Sequence, residues 1–242
     1  MALHFLVDPP VLAQPGDSVT LTGAEAHHAA GVRRVRAGEA VTVGDGAGAW
    51  LEGTVTAVDP KLVSIDVLSR IDHPAPGRRI TLIQALAKGD RDELAVQACT
   101  ELGVDAILPW QAARSVSRWS GPKVQRGVQR WTTIAREAAK QAHRAWLPAV
   151  HAPVSTAEIA ARCSSERVLV LEPTATRRLS AVDLGDGDVS LVVGPEGGIA
   201  ADELDALVAA GAITVRLGET VLRTSTAGPA ALGVVNVALG RW

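Results

Sequence analysis

Cysteine is nearly absent. Cys99 and Cys163 are the only two in 242 residues; they form no CxxC pair, and no histidine stands at ligand spacing from either. That excludes a disulfide-stapled scaffold, argues against a zinc site and suits a reducing, cytoplasmic setting, so no metal is expected. No run of eighteen apolar residues occurs and no basic-then-apolar leader opens the chain, so neither a membrane span nor a signal peptide is expected. No Lys-Ser or Lys-Thr follows the Gly-Pro-Glu-Gly-Gly stretch at 194–198, and no G-x-G-x-x-G fingerprint occurs. A P-loop and a dinucleotide fold are therefore disfavoured.

What is present is an ordinary globular composition, 47% hydrophobic and 21% charged, long enough for one large domain or two modest ones. The net charge of -2 hides an uneven distribution. Residues 111–150 hold eight Lys and Arg (Arg114, Arg118, Lys123, Arg126, Arg130, Arg136, Lys140, Arg144) against one acid, Glu137. Residues 172–220 hold nine acids against Arg177, Arg178 and Arg216. A basic segment in a near-neutral chain suits either a polyanionic partner or a solvated helix face.

Two regions differ in pattern. Residues 1–72 are rich in short β-branched runs, with Val63, Ile65 and Val67 alternating and a turn at 44–48, and read as a small β-barrel interrupted by a helical turn ending near Gly31. After the Pro-Gly linker "DHPAPGRR", residues 73–242 alternate strand and helix, which predicts a parallel sheet covered on both faces. The first helix of this region reads with Asp90 as N-cap, Glu93 three residues on and Gly103 as its stop. A long helix follows Gly121-Pro122. Its apolar seam runs Val124, Val128, Trp131, Ala135, Ala138, Ala142, Ala145, with Arg126, Arg130, Lys140 and Arg144 on the opposite stripe. Trp131 and Trp146 are expected to pack rather than stack on bases. A terminal helix is expected from about Thr226.

Ligands of such sheets sit beyond the carboxyl ends of the strands. Three of those ends are distinctive: "LEPT" at 171–174, "GPEGG" at 194–198 and "LGETVLRTSTAG" at 217–228. Glycines let a ligand approach bare backbone. Glu196 opposes phosphate and favours a ligand with donors or positive charge, such as S-adenosylmethionine; a plain tight turn with Glu196 assisting the next helix is the simpler alternative.

Together, "LVVGPEGGIAADEL", "VRLGETVLRTSTAGPAAL", "HHAAGVRRVRAGEAVTVGDGAG" and "QALAKGDRDELAVQACTELGVDAILPW" resemble the SPOUT class of methyltransferases and, within it, the bacterial 16S ribosomal RNA uracil-N3 methyltransferase family. The resemblance covers nearly the whole chain. It implies a PUA-like, RNA-binding barrel (1–72), then an α/β catalytic domain (73–242) with a C-terminal trefoil knot, a homodimer, and a 16S rRNA or small-subunit substrate. It also implies that Leu171, Gly194, Glu196, Gly198, Leu217, Gly218 and Leu222 line the S-adenosylmethionine pocket, largely through backbone. One position departs from the family: many relatives carry Glu where this chain has Ser225, so no role for an acid is carried over there.

Methyl transfer to N3 of uracil needs loss of the N3 proton and stabilisation of negative charge on the carbonyls. Arg223 is the first candidate for that electrostatic role, with Lys88 and Arg91 next; no residue stands out as the base. Arg33, Arg34 and Arg36 on the barrel, with Arg114, Arg118, Arg126, Arg130 and Arg144, form the expected RNA track. Rival readings are a SPOUT enzyme acting on another RNA site, a nucleotide-phosphate enzyme and a non-catalytic RNA-binding scaffold.

Overall fold

The computed structural model describes residues 2–242. The chain divides into two compact units. One runs to Ala75 and includes Ala139–Leu147; the other comprises Pro76–Ala138 and Pro148–Trp242.

The first unit holds β1 (Leu3–Leu6), β2 (Ser18–Thr22), α1 (Gly23–His27), β3 (Ala40–Gly44), β4 (Ala49–Asp59) and β5 (Leu62–Asp72). They form one five-stranded sheet ordered β1-β3-β4-β5-β2, antiparallel except for β1 beside β3. The alternation of β5 works as expected: Val63, Ile65 and Val67 are buried in a core with Phe5, Leu21, Val43 and Leu51. Register shifts after Glu52 and Val55 bend the long β4–β5 pair. At the first bend only glycine fits, because a Cβ on Gly53 would lie 2.5 Å from the Asp66 carbonyl. The turn before β4 is held by buried Asp45, whose carboxylate accepts from the amides of Val11, Ala47 and Ala49.

Two expectations for this unit are corrected. The helical segment does not stop near Gly31 but continues as a π-helical turn, His28–Arg33, and ends at Arg34 with φ 54°. The wider turn lets the Val35 amide reach the Ala29 carbonyl at 3.1 Å and buries Val35, leaving Arg33, Arg34 and Arg36 exposed around it. Lys140 is not on a solvated stripe. Its side chain is 9% exposed and its Nζ donates to Glu25 at 2.9 Å, a buried pair whose rupture would strand a charge. Nearby, His4 stacks on Trp50 and donates or accepts through Nδ1 with Thr42. Burial, then the adjacent His143 and Lys140, push its pKa down to about 4.

The second unit holds β6 (Ile80–Ala85), α2 (Arg91–Glu101), β7 (Ala106–Trp110), most of α3 (Pro122–Gln141), β8 (Ala149–Val150), α4 (Thr156–Arg162), β9 (Arg167–Leu171), β10 (Val189–Val193), α5 (Ala201–Ala209), β11 (Ile213–Val215) and α6 (Thr224–Ala238). Its six strands, ordered β11-β9-β10-β6-β7-β8, are all parallel. Apolar clusters cover both faces, so β6 and β10 are buried along their whole length.

The α3 seam buries Trp131, Ala135 and Ala138, as the spacing requires. Gly127 admits the indole of Trp119, which meets Trp131 edge to face. The helix ends at Gln141, short of Ala142 and Ala145 of the expected seam, and β8 and the separate α4, capped by Ser155 and Glu158, follow. Gly103, at φ +95°, ends α2. The cap of α2 is a correction. Asp90 makes no side-chain cap bond; buried Asp92 accepts from the amides of Ala87 and Glu93, while Glu93 is engaged by Arg130. The terminal helix starts at Thr224, two residues earlier than its expected start, with Arg223 at the cap position.

Candidate active site at the carboxyl edge of the parallel sheet

Strands β9, β10 and β11 are neighbours, and the pairs Val193↔Leu171 and Val215↔Leu171 bring their carboxyl ends to one level. The three loops that follow therefore converge on a cavity of about 380 Å³. The first supplies Leu171, Glu172 and Pro173; the second Gly194, Pro195, Glu196, Gly198 and Ile199; the third Leu217, Gly218 and the run from Thr220 to Thr224.

The second loop is fixed from inside. A Cβ on Gly194 would come within 2.8 Å of Ile199 Cγ1, and Gly198 adopts φ +72°, where other residues are strained. The Gly194 carbonyl accepts from the Thr224 hydroxyl at 2.9 Å, and that hydroxyl accepts from Gln84 Nε2 at 2.9 Å. This buried chain fastens the glycine loop to the start of α6 and the end of β6. From outside, Arg114 Nη1 donates to the Gly197 carbonyl at 3.2 Å.

Charge at the rim is divided. Glu196 Oε1 accepts from the Lys88 amide and from Arg91 Nη1, each at 2.9 Å. Burial alone would raise the Glu196 carboxyl, but its own amide, that of Lys88 and the Arg91 guanidinium outweigh it and hold it below the usual value. Glu172 Oε1 accepts from the amide and hydroxyl of Thr174. Arg216 is paired with Glu219. The exposed Arg223 guanidinium has no hydrogen-bond or ion-pair partner among the described residues, and it stands at the positive end of α6.

All seven positions expected to line the cofactor pocket border this cavity, as do Arg91 and Arg223. Lys88 contributes its amide through Glu196; its side chain does not line the cavity. Ser225 lies in the first turn of α6 and does not line it either. Of the expected RNA track, Arg33, Arg34, Arg36 and Arg126 are exposed, while Arg118 donates to the Ala113 carbonyl and Arg130 pairs with Glu93. Arg144 lies beyond the end of α3, is half-buried and is engaged in interactions of its own. Sequence reasoning missed Gln84, Thr224 and Glu172. Gln84 left a signal, as a side-chain amide in a strand that is apolar but for it and Thr81 and is buried throughout.

An apolar, backbone-rich cavity with Glu172 and Glu196 at its rim repels phosphate and suits a ligand that presents hydroxyls, an amine or positive charge. The Arg223 guanidinium, unpartnered among the described residues, suits an anion forming at the mouth. Among the described residues no group of His, Cys, Asp and Glu could hold a metal, and no helix is long and apolar enough to cross a membrane.

Residues 73–236 match the model of the RNA methyltransferase domain, and residues 21–68 that of the RNA methyltransferase PUA domain. The chain belongs to the RNA methyltransferase family. Within the family it is 44% identical to the ribosomal RNA small subunit methyltransferase E of Mycobacterium bovis, over all of this chain and 94% of that protein. It is 31% identical to the Bacillus subtilis protein of the same name, over 98% of this chain and 96% of that one. Two solved methyltransferases share its fold. A putative methyltransferase from Legionella pneumophila in complex with SAM has a TM-score of 0.89 at 27% identity, with 98% of each chain covered. A ribosomal RNA small subunit methyltransferase E from Neisseria gonorrhoeae bound to S-adenosyl methionine gives 0.88, also at 27% and 98% of each chain.

Proposed function

We propose that this methyltransferase transfers a methyl group from S-adenosylmethionine to N3 of a uridine in 16S ribosomal RNA. The observation that carries the reading is the cavity itself: three loops of one sheet edge, glycine-lined and rimmed by carboxylates, with Arg223 at its mouth unpartnered among the described residues. Gly194, Gly198 and Gly218 would leave peptide groups open to an adenine edge, and Leu171, Leu217 and Leu222 would pack against the ring. Glu172 is placed to meet hydroxyls or a positive charge. The bound cofactor supplies an electrophilic methyl group on a sulfonium.

The protein's part is positioning and electrostatics. N3–H of uracil must be lost, and the resulting charge spreads onto the flanking carbonyl oxygens. Arg223, and Arg91 at the same rim, would stabilise it, while the apolar lining excludes water and strengthens that attraction. Because N3 lies on the pairing edge, the target must be unpaired or extruded. Arg33, Arg34 and Arg36, exposed around the buried Val35, would grip the RNA backbone from the PUA-like domain, which we set at residues 1–72 with the catalytic domain at 73–242. Arg114, Arg118, Arg126, Arg130 and Arg144 extend the track on the catalytic side. We further propose a C-terminal trefoil knot, a homodimer, and a cytoplasmic setting in which the small ribosomal subunit is the substrate.

The test incubates the protein with methyl-tritiated S-adenosylmethionine and small subunits lacking the modification, then identifies labelled nucleosides. Label in 3-methyluridine is the expected result. Label in another nucleoside would keep cofactor and fold but refute the uridine N3 assignment. No label, with cofactor binding verified, would leave the scaffold reading.

A further inference from the structure

The carboxylate at the centre of the glycine loop borders the cofactor cavity, yet its hydrogen bonds run across the rim to the Lys88 amide and to Arg91. We infer that Glu196 is a positioning residue, whose carboxylate clamps Arg91 and the Lys88 amide to the glycine loop and so holds one cation of the reaction at the cavity rim. This rests on the methyl-transfer reading in one respect: Arg91 is among the groups that face the target base.

Four observations support it. First, both donors converge on the same oxygen, Oε1, at 2.9 Å each, and two donors fill the lone pairs that oxygen offers. The contacts span 108 and 105 residues, joining the β6–α2 loop to the loop after β10. Second, Arg91 is the first residue of α2, where the helix end is positive and a cation is disfavoured. The acids beside it are spent elsewhere: Asp92 on the amides of Ala87 and Glu93, and Glu93 on Arg130. Glu196 is the ion-pair partner left to hold it. Third, the pair is 40% exposed on the Arg91 side and 23% on the Glu196 side. Pairs this open add little to fold stability, so the clamp's value lies in where it puts Arg91. Fourth, hydrogen bonds that favour the ionised carboxylate make it a poor proton acceptor near neutral pH, which separates this role from that of a general base.

The experiment compares the wild type with E196Q, E196A, R91A and the E196A/R91A double variant. It measures S-adenosylmethionine affinity by equilibrium dialysis, single-turnover methyl transfer to small subunits across pH, and amide exchange at Lys88. Glu196 and Arg91 both border the cavity, so cofactor affinity is followed beside the rate and is expected to fall by less than about tenfold, much less than the rate of transfer. Misplacing Arg91 is expected to slow transfer by up to about a hundredfold in E196A and R91A, with the double variant no slower than the slower single one. E196Q keeps an acceptor and should recover part of the loss while preserving the pH profile. Lys88 should exchange faster in E196A.

Multiplicative losses in the double variant would overturn the proposal. So would a tenfold or greater weakening of cofactor binding in E196A, an E196Q as slow as E196A with a pH limb erased, or no change in rate. A wild type that binds no S-adenosylmethionine would sink the methyl-transfer reading instead. The Lys88 exchange measurement would still decide the clamp, because unchanged exchange in E196A refutes it.

Discussion

The two edges of the parallel sheet use arginine in opposite ways. At the amino edge the guanidinium groups of Arg241 and Arg78 are consumed. Arg241 donates to the carbonyls of Gly103 and Arg78 and to Asp105, whose carboxylate also accepts from the Ile80 amide. Arg78 is spent on the carbonyls of Leu184 and Gly187. At the carboxyl edge Arg91 has one carboxylate partner, and Arg223 has none among the described residues. A sealed edge fixes strand starts and buries polar backbone; an open edge keeps charge available for something that arrives from solution. The sheet is common to both, so the difference lies in the loops and in what each arginine finds within reach.

The largest expected effect tests the open edge. Arg223→Ala should lower the methyl-transfer rate by about 10²–10³-fold, the usual cost of one charge-stabilising donor, with cofactor affinity and melting temperature unchanged. A fall in stability instead would make Arg223 a structural residue and erase the contrast. The sealed edge should respond the other way. Arg241→Ala removes the donor to the part-buried carbonyls of Gly103 and Arg78 and to Asp105, and should destabilise the fold by about 2–3 kcal/mol in denaturant unfolding. The cofactor affinity of the folded protein should be preserved, and loss of binding at constant stability would break the comparison.

Thr224→Val sharpens it, because that hydroxyl belongs to both stability and site. Removing it should cost about 1–2 kcal/mol and also weaken cofactor binding, since the Gly194 carbonyl and Gln84 lose their shared partner. A change in only one of the two readouts would show that the open edge and the core are not joined there. The smallest effect lies outside both edges. Arg33→Ala with Arg34→Ala should flatten the slope of log RNA affinity against log salt by about 1.4, roughly 0.7 per phosphate lost, without moving cofactor affinity. Equal loss of both affinities would contradict the division of labour between the barrel arginines and the cavity.

Much of this was legible in the sequence where a local rule operates. The period-two pattern of Val63, Ile65 and Val67 gave one buried face, and alternating strands and helices gave the parallel sheet and its three loop ends. The seam of α3 buried Trp131 and Ala135 because helical spacing leaves them no other face. What escaped depends on partners distant in sequence. Lys140 reads as a surface cation until Glu25, 115 residues away, meets it. Asp90 has the better capping sequence, yet Asp92 takes the amides because burial holds it beneath the Ala87 turn. The turn after α1 widened to Arg34 because Val35 had to reach the core, a demand invisible in the local propensity of Gly31. At the site, the glycines marked the loop, but the Glu196 contacts arise only when strands β6 and β10 lie side by side.

The membership of Ala139–Leu147 in the first unit has a bearing on how the protein is made. Gly46 approaches Leu147 so closely that a Cβ there would lie 2.4 Å from its Cγ, and the Ala145 carbonyl receives the Gly48 amide at 3.0 Å. During translation, then, the N-terminal barrel remains incomplete until the chain has passed residue 147, when β6, β7 and α3 have already emerged. A fragment cut after Ala75 would keep the five strands but lack that segment, so dissection at the apparent linker would leave the module short of one of its own parts.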